Sequence, residues 1–355
     1  MRGAVTDLPH TVVADASLLA GALADPGRVM ALDAEGWTSL LTIARAEQLI
    51  GTLALRLDGL PLPRAVEAIL GDARAAAEQG RRAALWEAEM ARRALAPLGC
   101  PVVLLKGTAY AAAGLMAGQG RSIGDLDILV PRAALDRVEA AVLGAGWEWV
   151  KPDPYDDAYY RRWMHELPPL IHRERDRMID VHHTILPLTA RITPDPVALI
   201  DDSVPLENGL RVLSPENMVV HAAAHLLADG DLAGGLRNLW DIDRLCREFG
   251  DQDPDFCLTV MEAGHHHGLR NEVARALRLA SQMFDTPVKG YALPIRFHLE
   301  PQPRDRLFRR RITARDNWGR PTRPLTRLAF YIRSHWLRMP PAMLARHLWT
   351  KFRKA

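Results

Sequence analysis

Asp125 and Asp127 stand one residue apart at the head of an apolar run, GDLDILV. Side chains two apart on a β-strand point the same way, so both carboxylates would project from one face and Leu126 and Ile128 from the other. Two carboxylates this close repel, and keeping both ionised requires a compensating charge. A divalent cation supplies it, and Mg²⁺ favours a few carboxylates plus substrate phosphate oxygens over a full protein cage. Alone, Asp-x-Asp is also a common strand-edge sequence. The Lys106-Gly107-Thr108 step upstream strengthens the metal reading. A glycine that closes a strand just before a helix leaves unpaired N–H groups and the positive end of the helix dipole for an anion. Thr108 adds a hydroxyl there and Lys106 a charge, although the GxxxxGK[ST] pattern of a P-loop is missing.

A third carboxylate, Asp180, lies inside the apolar run RMIDVHH. It alternates with Ile179 and Val181 and so shares a face with Met178 and His182. A buried acid costs several kcal/mol unless charged partners meet it. Either it pairs with one of the many arginines, or it joins the first two as the third member of a metal triad and the general base for an incoming hydroxyl. His182, on the same face, would hold an acceptor or orient Asp180, while His183 points away and is structural. His221 and His225 are one helical turn apart, but no HExxH or third ligand accompanies them, which favours a core or polar supporting role over a metal. His265-His266-His267 precede a glycine and read as a helix end.

The elements that must position these residues follow from periodicity. Residues 15–99 read as helices broken at DGLPLP, with one long helix from Pro63 to Leu98. PVVLL (101–105) reads as a strand closed by Gly107, residues 109–116 as a helix, 118–124 as a Gly-rich loop and 126–130 as a second strand. A helix over 132–143, a strand near Trp147–Val150 and a hairpin of PPLIHR with RMIDVHH complete an α+β unit. Beyond Pro196 the pattern is helical again, with helices over 216–228 and 235–248 and a continuation over 254–284. Four regions result: helices over 1–99, the core over 100–190, helices over 191–300, and a basic tail over 301–355.

Composition bounds the function class. With 355 residues and 48% apolar content the chain is not mainly disordered. Three scattered cysteines fit a reducing cytosol and give no thiolate metal site. No signal peptide and no membrane-spanning run is evident, so a soluble cytoplasmic protein is expected. The net charge of +2 hides an asymmetry, because residues 301–355 carry +13 and residues 1–300 carry −11. Leu325, Leu328, Ile332 and Trp336 share one helical face in the tail, and Leu344, Leu348 and Phe352 suggest a second helix. Docking of this basic segment on the acidic body is favoured over a membrane surface or nucleic acid.

A strand, a Gly-[Ser/Thr] turn, a helix, Asp-x-Asp and a later strand with a third Asp resemble the DNA polymerase β nucleotidyltransferase superfamily. More narrowly, LLKGTAY…RSIGDLDILV, IDVHH, and the later HAAAH…LRNLWDIDRL resemble a poorly characterised bacterial group of nucleotidyltransferase family proteins, over roughly residues 30–250. The resemblance implies a polymerase β-like mixed sheet flanked by helices. It also implies nucleotidyl transfer from an NTP, held as its complex with Mg²⁺ or Mn²⁺, to a hydroxyl or phosphate of a small molecule, sugar or peptide. Gly107 and Thr108 match the turn that grips the triphosphate, Asp125 and Asp127 the metal-binding pair, and Asp180 the third metal-binding acid that activates the acceptor. Two metals would serve the attacking and leaving oxygens. Arg121 and Lys106 are candidates to neutralise phosphate charge, against the reading of each as a solvated cation. His225, Arg237 and Asp241 match a recurring pattern facing the cleft, and a helix–helix polar network explains them almost as well. Two departures stand out: the spacing from Gly-Thr to the acids is longer than in minimal members, and Thr replaces the commoner Ser. The alternatives are a catalytically weak nucleotide-binding regulatory module or, less favoured, a nucleic-acid-directed enzyme that uses the tail.

Overall fold

Every residue of the LDIL segment is buried, and that segment is the axis of the sheet. In the computed structural model, which describes residues 15–150, 154–288 and 299–340 together with Leu344 and Trp349, β1 is Val103–Leu104 and β2 is Leu126–Leu129. Four further strands complete the edges, β3 (Trp147–Trp149), β4 (Leu170–His172), β6 (Val204–Pro205) and β7 (Arg211–Val212), and β5 (Met178–His182) lies beside β2. The order is β3-β4-β5-β2-β1-β7-β6. β2 runs antiparallel to β1 and parallel to β5, so the sheet is mixed and the fold is α+β. β4 and β5 form the expected hairpin. The β6–β7 pair carries the sheet past residue 190, into a stretch where the sequence suggested only helices.

The helices are α1 (Ser17–Ala24), α2 (Ala34–Ala46), α3 (Ile50–Arg56), α4 (Arg64–Leu95), α5 (Lys106–Ala112), α6 (Leu135–Gly144), α7 (Pro154–Trp163) and α8 (Pro196–Asp201). They are followed by α9 (Pro215–Ala224), α10 (Gly235–Gly250), α11 (Phe256–His266), α12 (Arg270–Phe284), α13 (Asp305–Ile312) and α14 (Pro324–Arg338). The long α4 matches its expected span and packs on α5, α6 and β2. α9 to α12 pack on one another, α1 joins them through α12, and one apolar core runs from Ala16 to Phe330. The helical run expected over 254–284 is broken at Gly268, whose φ of 70° ends α11. Ile128, Leu129, Ile179 and Val181 are fully buried. Each such side chain contributes about 1.5–3 kcal/mol, which makes β2 and β5 a rigid platform.

The tail does dock, but not by the face its pattern suggested. Phe330, Ser334 and His335 of α14 face inward, and Phe330 meets Phe308 edge-on. Leu325, Leu328, Ile332 and Trp336 face solvent, Leu325 at 81% exposure. Arg311 pairs with Asp231, Arg315 with Glu47, Arg323 with Asp15 and Arg338 with Asp229, joining the basic segment to the acidic body. The second helix suggested by Leu344, Leu348 and Phe352 lies outside the described residues apart from Leu344. Among the described residues, no helix is long and apolar enough to cross a membrane.

Candidate active site

The parallel pairing of β2 with β5 sets Asp127 opposite Asp180 and Leu129 opposite His182. Registered neighbours in a sheet point to the same side, so Asp127 and Asp180 meet from two strands, and Asp125 joins them from the residue just before β2. Ligand oxygens of Asp125, Asp127 and Asp180 lie within 4.8 Å of one another. Their surroundings differ: Asp125 is exposed, Asp180 half-buried, and Asp127 buried at 2% exposure.

Asp127 holds the site together electrostatically. Its Oδ1 accepts from Lys106 Nζ at 2.6 Å and from His182 Nε2 at 3.0 Å. Burial works against its charge, but Lys106 and His182 outweigh that and hold the carboxyl well below the usual range. Lys106 is held above its ordinary value in return; burial opposes this, and Asp127, Asp125 and Asp180 prevail. Asp180 has no such partner. Burial, and then the neighbouring Asp127 and Glu166 carboxylates, push it up to about 7. One carboxylate is therefore firmly ionised, while its neighbour holds a proton near neutrality.

The turn before the acids is tighter than expected. α5 begins at Lys106, three residues earlier than the sequence suggested, and Lys106 has a φ of 50°. A non-glycine residue in the left-handed region is strained by about 1–3 kcal/mol, and here it accompanies the contact of the ammonium with Asp127. Gly107 is required by packing, because a Cβ there would lie 2.5 Å from Arg121 Nε and 3.2 Å from Ile123 Cγ1. Thr108 is buried at 1% exposure, and its Oγ1 makes no hydrogen bond and does not line the adjoining cavity. That cavity, of about 600 Å³, is lined by Lys106, Gly107, Arg121, Ser122, Asp125 and Asp127 among others.

Arg121 spans two parts of the molecule. Its guanidinium lies over the Tyr110 ring, and Nη1 donates to the buried Asp241 on α10. Arg237, one turn earlier on α10, donates to Thr52 Oγ1 at 3.1 Å and to the Gln48 carbonyl, with Asp241 4.0 Å away. Arg121, Asp241 and Arg237 thus tie the Gly-rich loop to α3 and α10. Gly120 makes this approach feasible: its φ is 64°, and a Cβ would meet the Gly51 carbonyl oxygen at 2.5 Å.

Among the histidines, His182 is buried on Asp127 as described, and His183 is buried, its backbone N–H donating to the His165 carbonyl at 2.9 Å. Burial pushes His183 down to about 4. His225 opens a π-turn, His225–Asp229, that continues α9. Its Nδ1 lies 3.3 Å from Asn238 Nδ2, and Lys106, Asp127 and His182 are among its charged neighbours. It is not hydrogen-bonded to Arg237 or Asp241. His221 is buried beside Lys106. His267 accepts the Asp195 N–H and lies 3.2 Å from Asn217 Oδ1, a structural role at the end of α11. Two residues missed by sequence reasoning, His165 and Glu166, complete a second cluster with His182. Flanked by an aromatic stretch and two prolines, HELPP carries no signal of its own. It reaches the site because Glu166 forms an isolated antiparallel bridge with His182.

A protein-family model described as "Uncharacterised nucleotidyltransferase" matches residues 33–285. The match spans the sheet, the three acids and the α9–α12 layer. No curated protein matches the chain.

Proposed function

The chain belongs to the uncharacterised nucleotidyltransferase family, and from this premise we propose that it transfers a nucleotidyl group from an NTP to a hydroxyl or phosphate of a small molecule, sugar or peptide. The observation that carries the reading is the convergence of Asp125, Asp127 and Asp180 within 4.8 Å beside a cavity lined by Lys106 and Arg121. The parallel β2–β5 pair with Asp-x-Asp on one strand and a third acid on the other supports a polymerase β-like core.

The donor set suits Mg²⁺ or Mn²⁺, since all three groups are hard oxygen donors and one is open to solvent. The raised Asp180 speaks for the same fit, because burial and repulsion from Asp127 and Glu166 are what a bound cation would offset. When bound, such a metal supplies charge neutralisation at the phosphoryl group. The chain's own residues do the rest. Lys106 and Arg121 face the triphosphate, and Gly107 lets Arg121 lie across the start of α5. Asp180, next to Asp127 in the sheet register, accepts the proton of the acceptor hydroxyl in the ionised form that a bound cation would favour. His182 keeps Asp127 ionised and oriented through the 3.0 Å hydrogen bond.

Asp125→Asn is the cleanest test, because Asp125 is exposed whereas Asp127 is buried and paired. Purified protein is incubated with the four NTPs, Mg²⁺ and a cell-extract acceptor pool, and pyrophosphate release is followed. Release that depends on Mg²⁺ and vanishes in Asp125→Asn, with an unchanged circular dichroism spectrum, is the expected result. Turnover unaffected by the substitution overturns the metal assignment. One observation favours a second reading, a nucleotide-binding module without turnover: Lys106 Nζ already neutralises Asp127 at 2.6 Å. NTP binding with no pyrophosphate release from any acceptor would support that module.

A further inference from the structure

Nucleotidyl transfer leaves His165, Glu166 and one face of His182 without a task, yet their arrangement is specific. The backbone of 165–166 is fastened to β5, since His183 N–H donates to the His165 carbonyl and Glu166 bridges His182. The two imidazoles stack with centroids 5.2 Å apart at 26°. Glu166 Oε2 lies 3.4 Å from His182 Nδ1 and 3.7 Å from His165 Nε2. His182 is 3% exposed and His165 9%, and Nδ1 of each is buried without a hydrogen bond. The buried Nδ1 of His182, left without a hydrogen bond beside the Glu166 carboxylate that His165 Nε2 also approaches, needs an explanation.

We propose that His165, Glu166 and His182 form a second metal site, distinct from the aspartates, for a borderline divalent transition-metal ion of the Zn²⁺ class. A tetrahedral ion with nitrogen and oxygen donors at about 2.0–2.1 Å places those donors about 3.3 Å apart. The 3.4 and 3.7 Å separations are close to that edge. They are too long for a good hydrogen bond and well suited to two ligands sharing one ion. The state of His182 also fits. A metal-bound histidine normally donates its other N–H to a carboxylate, which fixes the tautomer and directs the free lone pair at the ion. His182 donates Nε2–H to Asp127 and turns Nδ1 toward Glu166. Two imidazoles and one carboxylate leave a coordination position open and prefer Zn²⁺ or Co²⁺ over Mg²⁺. The three aspartates, all oxygen donors, have the opposite preference. Asp127 touches both places, as an acid of the aspartate cluster and as the hydrogen-bond acceptor of His182. The site does not depend on whether the aspartates bind Mg²⁺ or the chain turns over an NTP.

The test uses the full chain, stripped of metal by a chelator and titrated with Zn²⁺ and Co²⁺ in a large excess of Mg²⁺. One Zn²⁺ is expected to bind per chain despite the Mg²⁺, and X-ray absorption at the zinc edge should report two imidazole ligands. His165→Ala and Glu166→Gln should each weaken Zn²⁺ binding by about 100-fold, at least the effect of losing an outer partner. Asp125→Asn should leave it unchanged. Zn²⁺ displaced fully by Mg²⁺, lost in Asp125→Asn, or bound without imidazole overturns the proposal. If His165→Ala does not fold, the near-isosteric Glu166→Gln and the wild-type absorption spectrum decide it. Unchanged affinity in Glu166→Gln counts against the site.

Discussion

Replacing Asp180 by Asn should stabilise the metal-free protein, and by an amount that depends on pH in a defined way. The unfolded chain ionises this carboxyl at the ordinary value of 3.8, whereas in the folded protein burial, Asp127 and Glu166 push it up to about 7. Between those values folding takes up a proton, so stability falls as pH rises, by about 1.4 kcal/mol for each pH unit. Below pH 3.8 the wild type and Asp180→Asn should differ little. Above pH 7 both folded and unfolded wild-type chains are ionised and the full penalty is present. Three pH units at that slope give ~4 kcal/mol; because Asp180 is only half-buried, water will screen part of this, and about 2–4 kcal/mol is expected. Urea denaturation of both proteins from pH 4 to 9, in the presence of a chelator, measures the difference directly. Repeating it with Mg²⁺ should narrow the gap at high pH, because a cation bound by the native aspartates stabilises the wild type by mass action. A difference that stays flat across this range would refute the assignment of Asp180 as the uncompensated acid. A gap that Mg²⁺ does not narrow would refute its place in the metal cluster.

Four other substitutions probe the charge balance and packing around it. Lys106→Met removes one of two partners of the buried Asp127 and should cost about 3 kcal/mol in urea denaturation, at the low end for a broken buried pair because His182 remains; an unchanged midpoint would show that Lys106 is not its neutralising charge. Arg121→Ala and Asp241→Ala should each cost about 3 kcal/mol, and the double variant less than their sum by more than ~1 kcal/mol, since they are each other's buried partner. Strict additivity in that cycle would separate the two residues. Gly120→Ala forces a side chain into a left-handed backbone against the Gly51 carbonyl and should destabilise by about 2–3 kcal/mol while weakening NTP binding through Arg121; thermal melts and nucleotide titration check both effects.

What the sequence discloses about this site follows the reach of each interaction. Period-two alternation is local, so GDLDILV and RMIDVHH are legible as strands with their acids on a defined face. Which strands pair is a long-range matter, and nothing local to Asp127 or Asp180 announces that they share a register. Lys106 was readable as a cation near phosphate, but its contact with Asp127 depends on a left-handed backbone that no pattern marks. Arg237 and Asp241 were read together with His225, and Arg121 apart as a phosphate-side cation; the union of Arg121 with the pair rests on two glycines, Gly51 and Gly120, that let backbones touch. HELPP reads as loop because prolines flank it, and its place beside His182 comes from an isolated bridge. In the tail, the apolar period marks Leu325, Leu328, Ile332 and Trp336, yet Phe330, Ser334 and His335 face inward, and the long-range ion pairs of Arg323 and Arg338 that flank α14 are not visible in that period.

The charges around β2 and β5 are consistent with a site assembled before any metal arrives. Four acids lie close together, of which Asp125 is exposed while Asp127, Asp180 and Glu166 are partly or fully buried, and ionising all of the buried ones without partners would be costly. Lys106 and His182 meet Asp127, while burial and neighbouring charge leave Asp180 and Glu166 both above their ordinary values. Arg121, the other cation at the cavity, is itself neutralised by Asp241 and so adds little net charge to the empty cleft. The charge of Asp127 is thus balanced within the chain. Under the proposed function, a bound cation would act on the acids that the resident side chains leave uncompensated, Asp180 first, and a measured release of protons on adding Mg²⁺ would show it.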